Sequence, residues 1–357
     1  MMRKRTITLL TLLFAGILSA CSSQPTEQAS QSAPVESNAM PSNITFASSP
    51  QGTAFNSASM GVASVLSNES QMEVTLTPFA GMSAWIPMLD KGEVQLGLGS
   101  SADASYALHG QNGFRENKNV RTLVRGNFVE SVGLTVRKDS DIQSVRDLKG
   151  KRVASDYTGG ITGHITTEMQ LKANGLTWDD VIRVPVTTAG AAVEALREGR
   201  VDAAFGMSPF TPAVVEAHNA VGLRPLNFFD DYAPSQFNDI PQDLIEIIET
   251  HQPGAKPVVL KAGFVEEETI IIEFPVIVVT STHLSDEAAY ELVATLWEHY
   301  EKLHPIYTWL ERWNPEQMFD PHPPVPYHPG VVKFFKDQGL WTEEVEKRQQ
   351  ELLKLVQ

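Results

Sequence analysis

Cysteine, positive charge and long apolar runs are all scarce in this chain of 357 residues. Cys21 is the sole cysteine, so no intramolecular disulfide can form. Lys and Arg number 28 against 43 Asp and Glu, a formal charge of −15. That balance excludes nucleic acid as an expected partner, because phosphate contacts need clustered Lys and Arg. It also means that an anionic ligand would have to be held locally, against the overall field. Enzyme motifs are missing too: there is no Gly-x-Ser-x-Gly elbow, no Walker loop and no His-Glu-x-x-His zinc pattern. The acid pairs Asp179-Asp180 and Asp230-Asp231 are sequence neighbours at element ends and read as solvated caps. His322 and His328 sit among prolines without regular ligand spacing, so that stretch reads as a surface loop packed on the body, not a metal site. Neither a cofactor nor catalysis is expected, and the lack of a 20- to 50-residue repeat argues against a solenoid.

What is present is globular: 42% hydrophobic and 20% charged residues, over a length that suits about two domains. The first residues differ. Arg3, Lys4 and Arg5 precede a short apolar core at 7–18, too short to span a bilayer and laid out as a secretory signal. The sequence Leu18-Ser19-Ala20-Cys21 resembles the bacterial lipoprotein lipobox. The resemblance implies that Cys21 is diacylated and becomes the mature N-terminus, held at a membrane surface without a spanning helix. Residues 21–42, rich in Ser, Gln, Pro and Ala, read as a flexible tether. Removing residues 1–20 deletes three positive charges and leaves −18.

From residue 44 to about 230, short apolar runs alternate with helical patterns. Strands are predicted at 44–48, 72–77, 94–99, 120–126, 131–137, 152–156, 182–186, 202–207 and 223–228. Helices are predicted at 53–67, 80–91, 101–109, 144–149, 160–174, 188–198 and 210–219. This is α/β architecture with mainly parallel sheets. A second α/β series starts after strand 131–137, and another long strand lies at 270–281. A chain that crosses into a second lobe and returns would place these two strands side by side as a hinge. Residues 230–269 show few clear periodicities. The aromatic stripe from Trp297 to Leu310 reads as core.

One construction recurs. Strand 44–48 runs into Ser48-Ser49-Pro50-Gln51-Gly52-Thr53, strand 94–99 into Ser100-Ser101-Ala102-Asp103, strand 152–156 into Tyr157-Thr158-Gly159-Gly160-Ile161-Thr162-Gly163, and strand 202–207 into Ser208-Pro209. Small hydroxyl residues and glycine are what any helix start favours. They are equally what a loop facing an anionic ligand needs, since the first amides of a helix lack intrahelical acceptors. In open α/β sheets ligands bind beyond the carboxyl ends of strands, and four such junctions, two per lobe, favour the second reading. Gly159, Gly160 and Gly163 add close backbone approach.

Several segments in order resemble the TAXI-type solute receptors of tripartite ATP-independent (TRAP) transporters: "SSPQGTAFNSASMGVASVL", "LDKGEVQLGLGSSADASYALHG", "VRKDSDIQSVRDLKGKRVASD", "KANGLTWDDV", "ALREGRVDAAFGMSPF" and "YHPGVVKFFKDQGL". The resemblance implies a two-lobed type II periplasmic binding protein fold with a ligand cleft between lobes joined by hinge strands. It further implies a carboxylate-bearing solute such as glutamate or 2-oxoglutarate, a TRAP permease as membrane partner, and a periplasmic lipoprotein. Gln51 and Phe55 stand where that family often has Gly and Tyr, and Gly160-Ile161-Thr162 replaces a frequent Ser-Gly-Thr, so a less polar acid is expected.

The expected domains are a signal at 1–20, a tether at 21–42, lobe I at 43–135 plus 276–357, and lobe II at 136–275. In the expected site Thr158, Gly159, Gly160, Ile161, Thr162 and Gly163 receive a carboxylate, and Ser48, Gln51, Gly52 and Thr53 hold the opposite end. Ser101 and Asp103 orient the solute, with Asp103 suited to an amine or hydroxyl; Phe55 packs on its carbon skeleton and Ser208 closes the far side. Arg125 either pairs a second carboxylate or forms a salt bridge to an acid of the protein. Lobe closure about the hinge is the expected motion. Two other roles suit such a fold, a receptor for an ATP-driven transporter or sensor kinase and, more remotely, an enzyme.

Overall fold

A computed structural model describes residues 40–357. The expected signal, Cys21 and residues 21–39 of the tether lie outside the described residues. The chain order is β1 (Asn43–Ser48), α1 (Ala54–Glu69), β2 (Glu73–Pro78), α2 (Met82–Asp90), β3 (Leu96–Ser100), α3 (Ser101–His109) and β4 (Val120–Ser131). It continues through β5 (Leu134–Arg137), β6 (Arg152–Asp156), α4 (Thr162–Ala173), β7 (Ile182–Val186), α5 (Ala189–Arg197), β8 (Ala203–Phe205), α6 (Pro212–Val221) and β9 (Leu223–Pro225). The last part holds α7 (Gln242–His251), β10 (Lys256–Leu260), β11 (Thr269–Ser281), α8 (Asp286–Glu298), α9 (Pro315–Met318), α10 (Pro329–Asp337) and α11 (Glu343–Lys354).

Two sheets organise these elements. The first has the order β10-β11-β3-β1-β2, with β4 along the other edge of β11; the second runs β7-β6-β8-β5-β9. β1 pairs in parallel with β2 and β3, and β6 in parallel with β7 and β8. Strands covered on both faces read as continuous apolar runs, and all thirteen residues of β11 are buried. α1 turns Ala58, Val62, Val65 and Leu66 onto the first sheet at helical spacing. Its start is fixed by Thr53, whose Oγ1 accepts from the Asn56 amide at 3.2 Å and donates to the Pro50 carbonyl at 2.7 Å.

The hinge differs from the expectation. The partner of β11 is β4, antiparallel from Ile272↔Ser131 to Ser281↔Val120, and not the strand predicted at 131–137. Gly133 is the cause. At φ +68° it turns the chain out of β4, and a Cβ there would lie 2.3 Å from Gln170 Oε1. Beyond it β5 enters the second sheet between β8 and β9.

Other departures are local. The helix predicted at 144–149 is a single 3₁₀ turn, Arg146–Leu148, whose leading amides donate to Asp230 at 2.9 Å. Residues 230–269, left unassigned from sequence, form a 3₁₀ turn at Pro234–Asp239 followed by α7 and β10. His328 is buried rather than on a surface loop: its Nδ1 accepts from the Gly330 amide at 3.2 Å, capping α10, and burial lowers its pKa. His322 is exposed. Among the described residues no helix is long and apolar enough to cross a membrane.

Candidate functional site

Six junctions deliver residues to one cavity between the sheets. Ser49, Pro50 and Thr53 come from the start of α1, Ala80, Gly81 and Met82 from α2, and Gly99, Ser100 and Asp103 from α3. Gly160, Thr162 and Gly163 come from α4, Thr188 and Ala189 from α5, and Met207 and Ser208 from the turn ahead of α6. Val129, Glu130 and Ser131 of β4 and Phe274 of β11 complete the lining, so both hinge strands contribute. The cavity holds about 770 Å³ of atom-free space, part of it continuous with solvent. The first amides of a helix have no intrahelical acceptor and carry the positive end of its dipole, which favours negative charge near a helix start; at α1, α3 and α5 the cap side chains of Thr53, Ser100 and Thr188 already accept from one of them.

The side chains are mostly apolar: Phe55, Phe205, Phe274, Met82, Met207, Leu98 and Val129 dominate. Among the described residues no Lys, Arg or His lines the cavity, and its two charged groups are acids. Glu130 is paired with the Arg312 guanidinium; burial raises its pKa, Arg312 opposes that, and neighbouring Glu273 adds to it. Among the described residues Asp103 has no basic partner. Its amide donates to Ser100 Oγ at 2.9 Å, and its Oδ2 accepts from the Thr162 hydroxyl at 3.2 Å. Burial pushes its carboxyl from the ordinary 3.8 up to about 7, with the bonds to Thr162 and Ser100 acting in the opposite direction.

Helices of the two sheets meet across the cavity. Besides Asp103 with Thr162, the Ser83 hydroxyl donates to the Thr158 carbonyl at 3.2 Å and the Ala213 amide to the Gly52 carbonyl at 3.3 Å. Backbone strain gathers at the same edge. Asp156 (φ +68°), Tyr157 (φ +46°) and Met207 (φ +56°) are non-glycine residues in the left-handed region at the ends of β6 and β8. Each costs about 1 kcal/mol or more. The Tyr157 hydroxyl accepts from the Phe205 amide at 3.1 Å, and a Cβ on Gly163 would lie 2.8 Å from the Tyr157 ring. α4 can therefore start directly over the tyrosine because residue 163 is glycine.

Of the residues expected from sequence, Thr53, Phe55, Asp103, Gly160, Thr162, Gly163 and Ser208 line the cavity. Ser48 lies behind it, accepting from the Asn56 side chain at 3.1 Å. Gln51 is exposed, and Gly52 serves the contact with Ala213. Ser101 is buried beside the lining, where Ser100 takes the place expected of it. Thr158 is exposed, Gly159 abuts Gly81, and Ile161 packs on the core of the first sheet. Arg125 is not at the cavity. Its Nε donates to the Gln317 carbonyl at 2.9 Å and its guanidinium lies 3.4 Å from Asp320, so the salt-bridge alternative holds.

Sequence reasoning missed the starts of α2 and α5. Both carry the signal used elsewhere, since strand 72–77 runs into Ala80-Gly81 and strand 182–186 into Thr187-Thr188-Ala189-Gly190. Glu130, Ser131 and Phe274 had no such signal, because they lie within long buried strands. Among the described residues no group of three or more His, Cys, Asp or Glu is placed to hold a metal ion.

A protein-family model described as the NMT1-like family matches residues 46–339, which includes every junction around the cavity. This chain belongs to the NMT1-like family. Solved structures share the fold of this NMT1-like protein at low identity. MatC (Rpa3494) from Rhodopseudomonas palustris with bound malate is 14% identical over 88% of this chain and 99% of its own, with a TM-score of 0.52. PhnD1 from Prochlorococcus marinus (MIT 9301) in complex with methylphosphonate is 12% identical over 84% and 99%, at 0.50. The periplasmic aliphatic sulphonate binding protein SsuA from Escherichia coli is 15% identical over 88% and 99%, at 0.45. The two-lobed α/β architecture of the NMT1-like chain is thus the fold of MatC and PhnD1.

Proposed function

We propose that this protein is an extracytoplasmic solute-binding receptor that captures a small carboxylate-bearing solute between its lobes. The observation that carries the reading is the convergence of helix starts on a cavity that, among the described residues, no basic side chain lines. The amides opening α4 at Thr162 and Gly163 take the carboxylate, Thr53 and Ser208 add hydroxyls, and Phe55 and Phe274 pack on the carbon skeleton. The fold on which MatC binds malate and PhnD1 methylphosphonate supports capture of a small anion. Apolar lining supports an acid with one carboxylate, since a second would face Asp103 and Glu130 with no cation to meet it. The TAXI-like segments support a TRAP permease as the partner, and the lipobox-like run supports an anchor at Cys21 on the periplasmic side of the envelope.

Gly160→Glu tests the site. A Cβ at Gly160 has only the Gly81 Cα near it, at 3.9 Å, so the substitution fits locally but sends a carboxylate into the cavity. Binding is expected to disappear while the melting temperature stays within a few degrees; unaltered affinity would remove the start of α4 from the site. Thermal shifts of residues 43–357 against organic acids, apolar carboxylates, amino acids and their amides test the solute class. At 100 times Kd a ligand of the folded state adds about 2.7 kcal/mol, several degrees for a protein of this size. A rise with an acid and not with its amide is expected, and a rise with the amide alone would contradict carboxylate capture.

A further inference from the structure

We propose that the solute is a zwitterion, with one carboxylate and a protonated amine on an apolar body, and that Asp103 is the residue that selects the amine. The inference rests on the receptor reading above and names its substrate class.

Three side chains that line the cavity each keep a polar atom without a hydrogen-bond partner: Asp103 Oδ1, Ser131 Oγ and Ser208 Oγ. The residues are only 4%, 1% and 2% exposed. Of the sixteen buried side-chain polar atoms without a partner among the described residues, these three line the cavity, where a solute can supply the bond that such atoms normally make. Their chemistry is specific, because a carboxylate only accepts while serine both donates and accepts.

The two acids differ in what the protein has already given them. Glu130 has Arg312. Asp103 has only neutral company, the Thr162 hydroxyl from the opposite lobe and Ser100 at its own helix start. A buried carboxylate without a counter-charge is costly, and a ligand ammonium, a charged donor, is the group that removes the cost. The carboxylate of the same solute meets the helix amides, and its remaining surface meets Phe55, Phe274, Phe205, Met82 and Met207. A solute with a second carboxylate brings like charge to Asp103 and Glu130. An apolar acid without an amine leaves Asp103 unmatched.

Calorimetric titration of the mature full chain with the apolar amino acids and their deamino counterparts (leucine with 4-methylpentanoate, phenylalanine with 3-phenylpropanoate and so on), beside glutamate and succinate, is the test. An amino acid should bind about 30-fold or more tightly than its deamino counterpart, the size of losing one partner of a buried charge pair, and glutamate and succinate should bind more weakly still. D103N should shrink that ratio to a few-fold. Deamino acids binding as well as amino acids, or glutamate or succinate binding tightest, would overturn the inference while leaving the receptor reading intact. The wild-type comparison decides this even if D103N fails to fold. Binding of no acid of any kind would overturn both.

Discussion

Replacing Gly81 by alanine is expected to weaken solute binding by about 100-fold or more, while the ligand-free protein keeps its melting temperature to within a few degrees. The reason is a contact between two backbones. A Cβ on Gly81 would lie 1.7 Å from the carbonyl oxygen of Gly159 and 2.4 Å from its carbonyl carbon, and a Cβ on Gly159 would lie 2.7 Å from the Ala80 carbonyl oxygen. Neither neighbour is the end of a flexible side chain, so relief requires that the start of α2 and the glycine loop before α4 move apart. The dihedrals of Gly81, φ 164° and ψ −174°, are extended backbone that alanine adopts freely. Within its own lobe the substitution costs only the small difference between Gly and Ala at a helix N-cap. If the lobes open and close as proposed, its penalty falls on the arrangement seen here, in which Ser83 meets Thr158 and Asp103 meets Thr162. A penalty of about 3 kcal/mol or more on closure lowers the binding-competent fraction about 100-fold. Titration calorimetry with a solute found in the thermal screen measures the loss, and small-angle scattering with that solute should show a larger radius of gyration than wild type. Unchanged affinity in the alanine variant would mean that the two glycines need not meet for binding.

The second large effect is on stability and its pH dependence. Asp103 titrates near 3.8 when unfolded and at about 7 when folded, raised by burial. Between those values the folded state holds a proton that the unfolded state has lost, so this residue makes the protein less stable as pH rises through that window. Above about 7 the full cost is present, on the order of 4 kcal/mol, and below about 4 it vanishes. Asn at 103 cannot ionise and still accepts from Thr162, so D103N should gain on the wild type as pH increases. Other titratable groups lie near: Tyr106 on the same helix, Glu130 in the cavity lining with Arg312, His164 on α4, and His251, whose carbonyl accepts from Tyr106. Glu130, Arg312 and the two histidines are present in both proteins, and Tyr106, whose pKa burial and then Asp103 push up to about 12, stays protonated throughout this window. Urea unfolding of the two ligand-free proteins at pH 4.5 and pH 8 should show near-equal stability at the lower value and a clear advantage for D103N at the higher. The same difference at both would remove Asp103 as a buried ionising group. A bound ammonium, by pairing the carboxylate, should flatten the wild-type slope.

Most of the fold was legible because hydrophobic period and punctuation agree along the chain. The helix predicted at 101–109 is α3 to the residue, since Ser100 caps one end and Gly110, at φ +64°, closes the other. Strands 152–156 and 182–186 are β6 and β7 for a similar reason, short apolar runs between Gly and Asp. The hinge was misread because residues 130–137 alternate apolar Val132, Leu134 and Val136 with polar or small residues, as one strand would; Gly133 instead turns the chain at φ +68°, beside Gln170, 37 positions later.

The site was legible where function coincides with helix starts. Thr53, Asp103, Thr162 and Ser208 follow from a rule about the carboxyl ends of strands. Glu130, Ser131 and Phe274 do not, because which face of a hinge strand meets the cavity is set by β4 and β11 pairing over their whole length. Arg125 marks the limit of such reasoning. A basic residue in a strand close to a binding edge suits an anion as well as it suits an acid of the protein, and only tertiary structure brings Asp320 to it.

The central claim is that helix amides around this cavity hold a solute carboxylate. A crystal structure of residues 43–357 with the tightest-binding acid is the deciding measurement. The account predicts that carboxylate within about 3 Å of the amides opening α4 at Thr162 and Gly163, with the carbon skeleton against Phe55 and Phe274. A carboxylate held instead by basic side chains elsewhere, or a solute seated outside the cavity between the sheets, would contradict it.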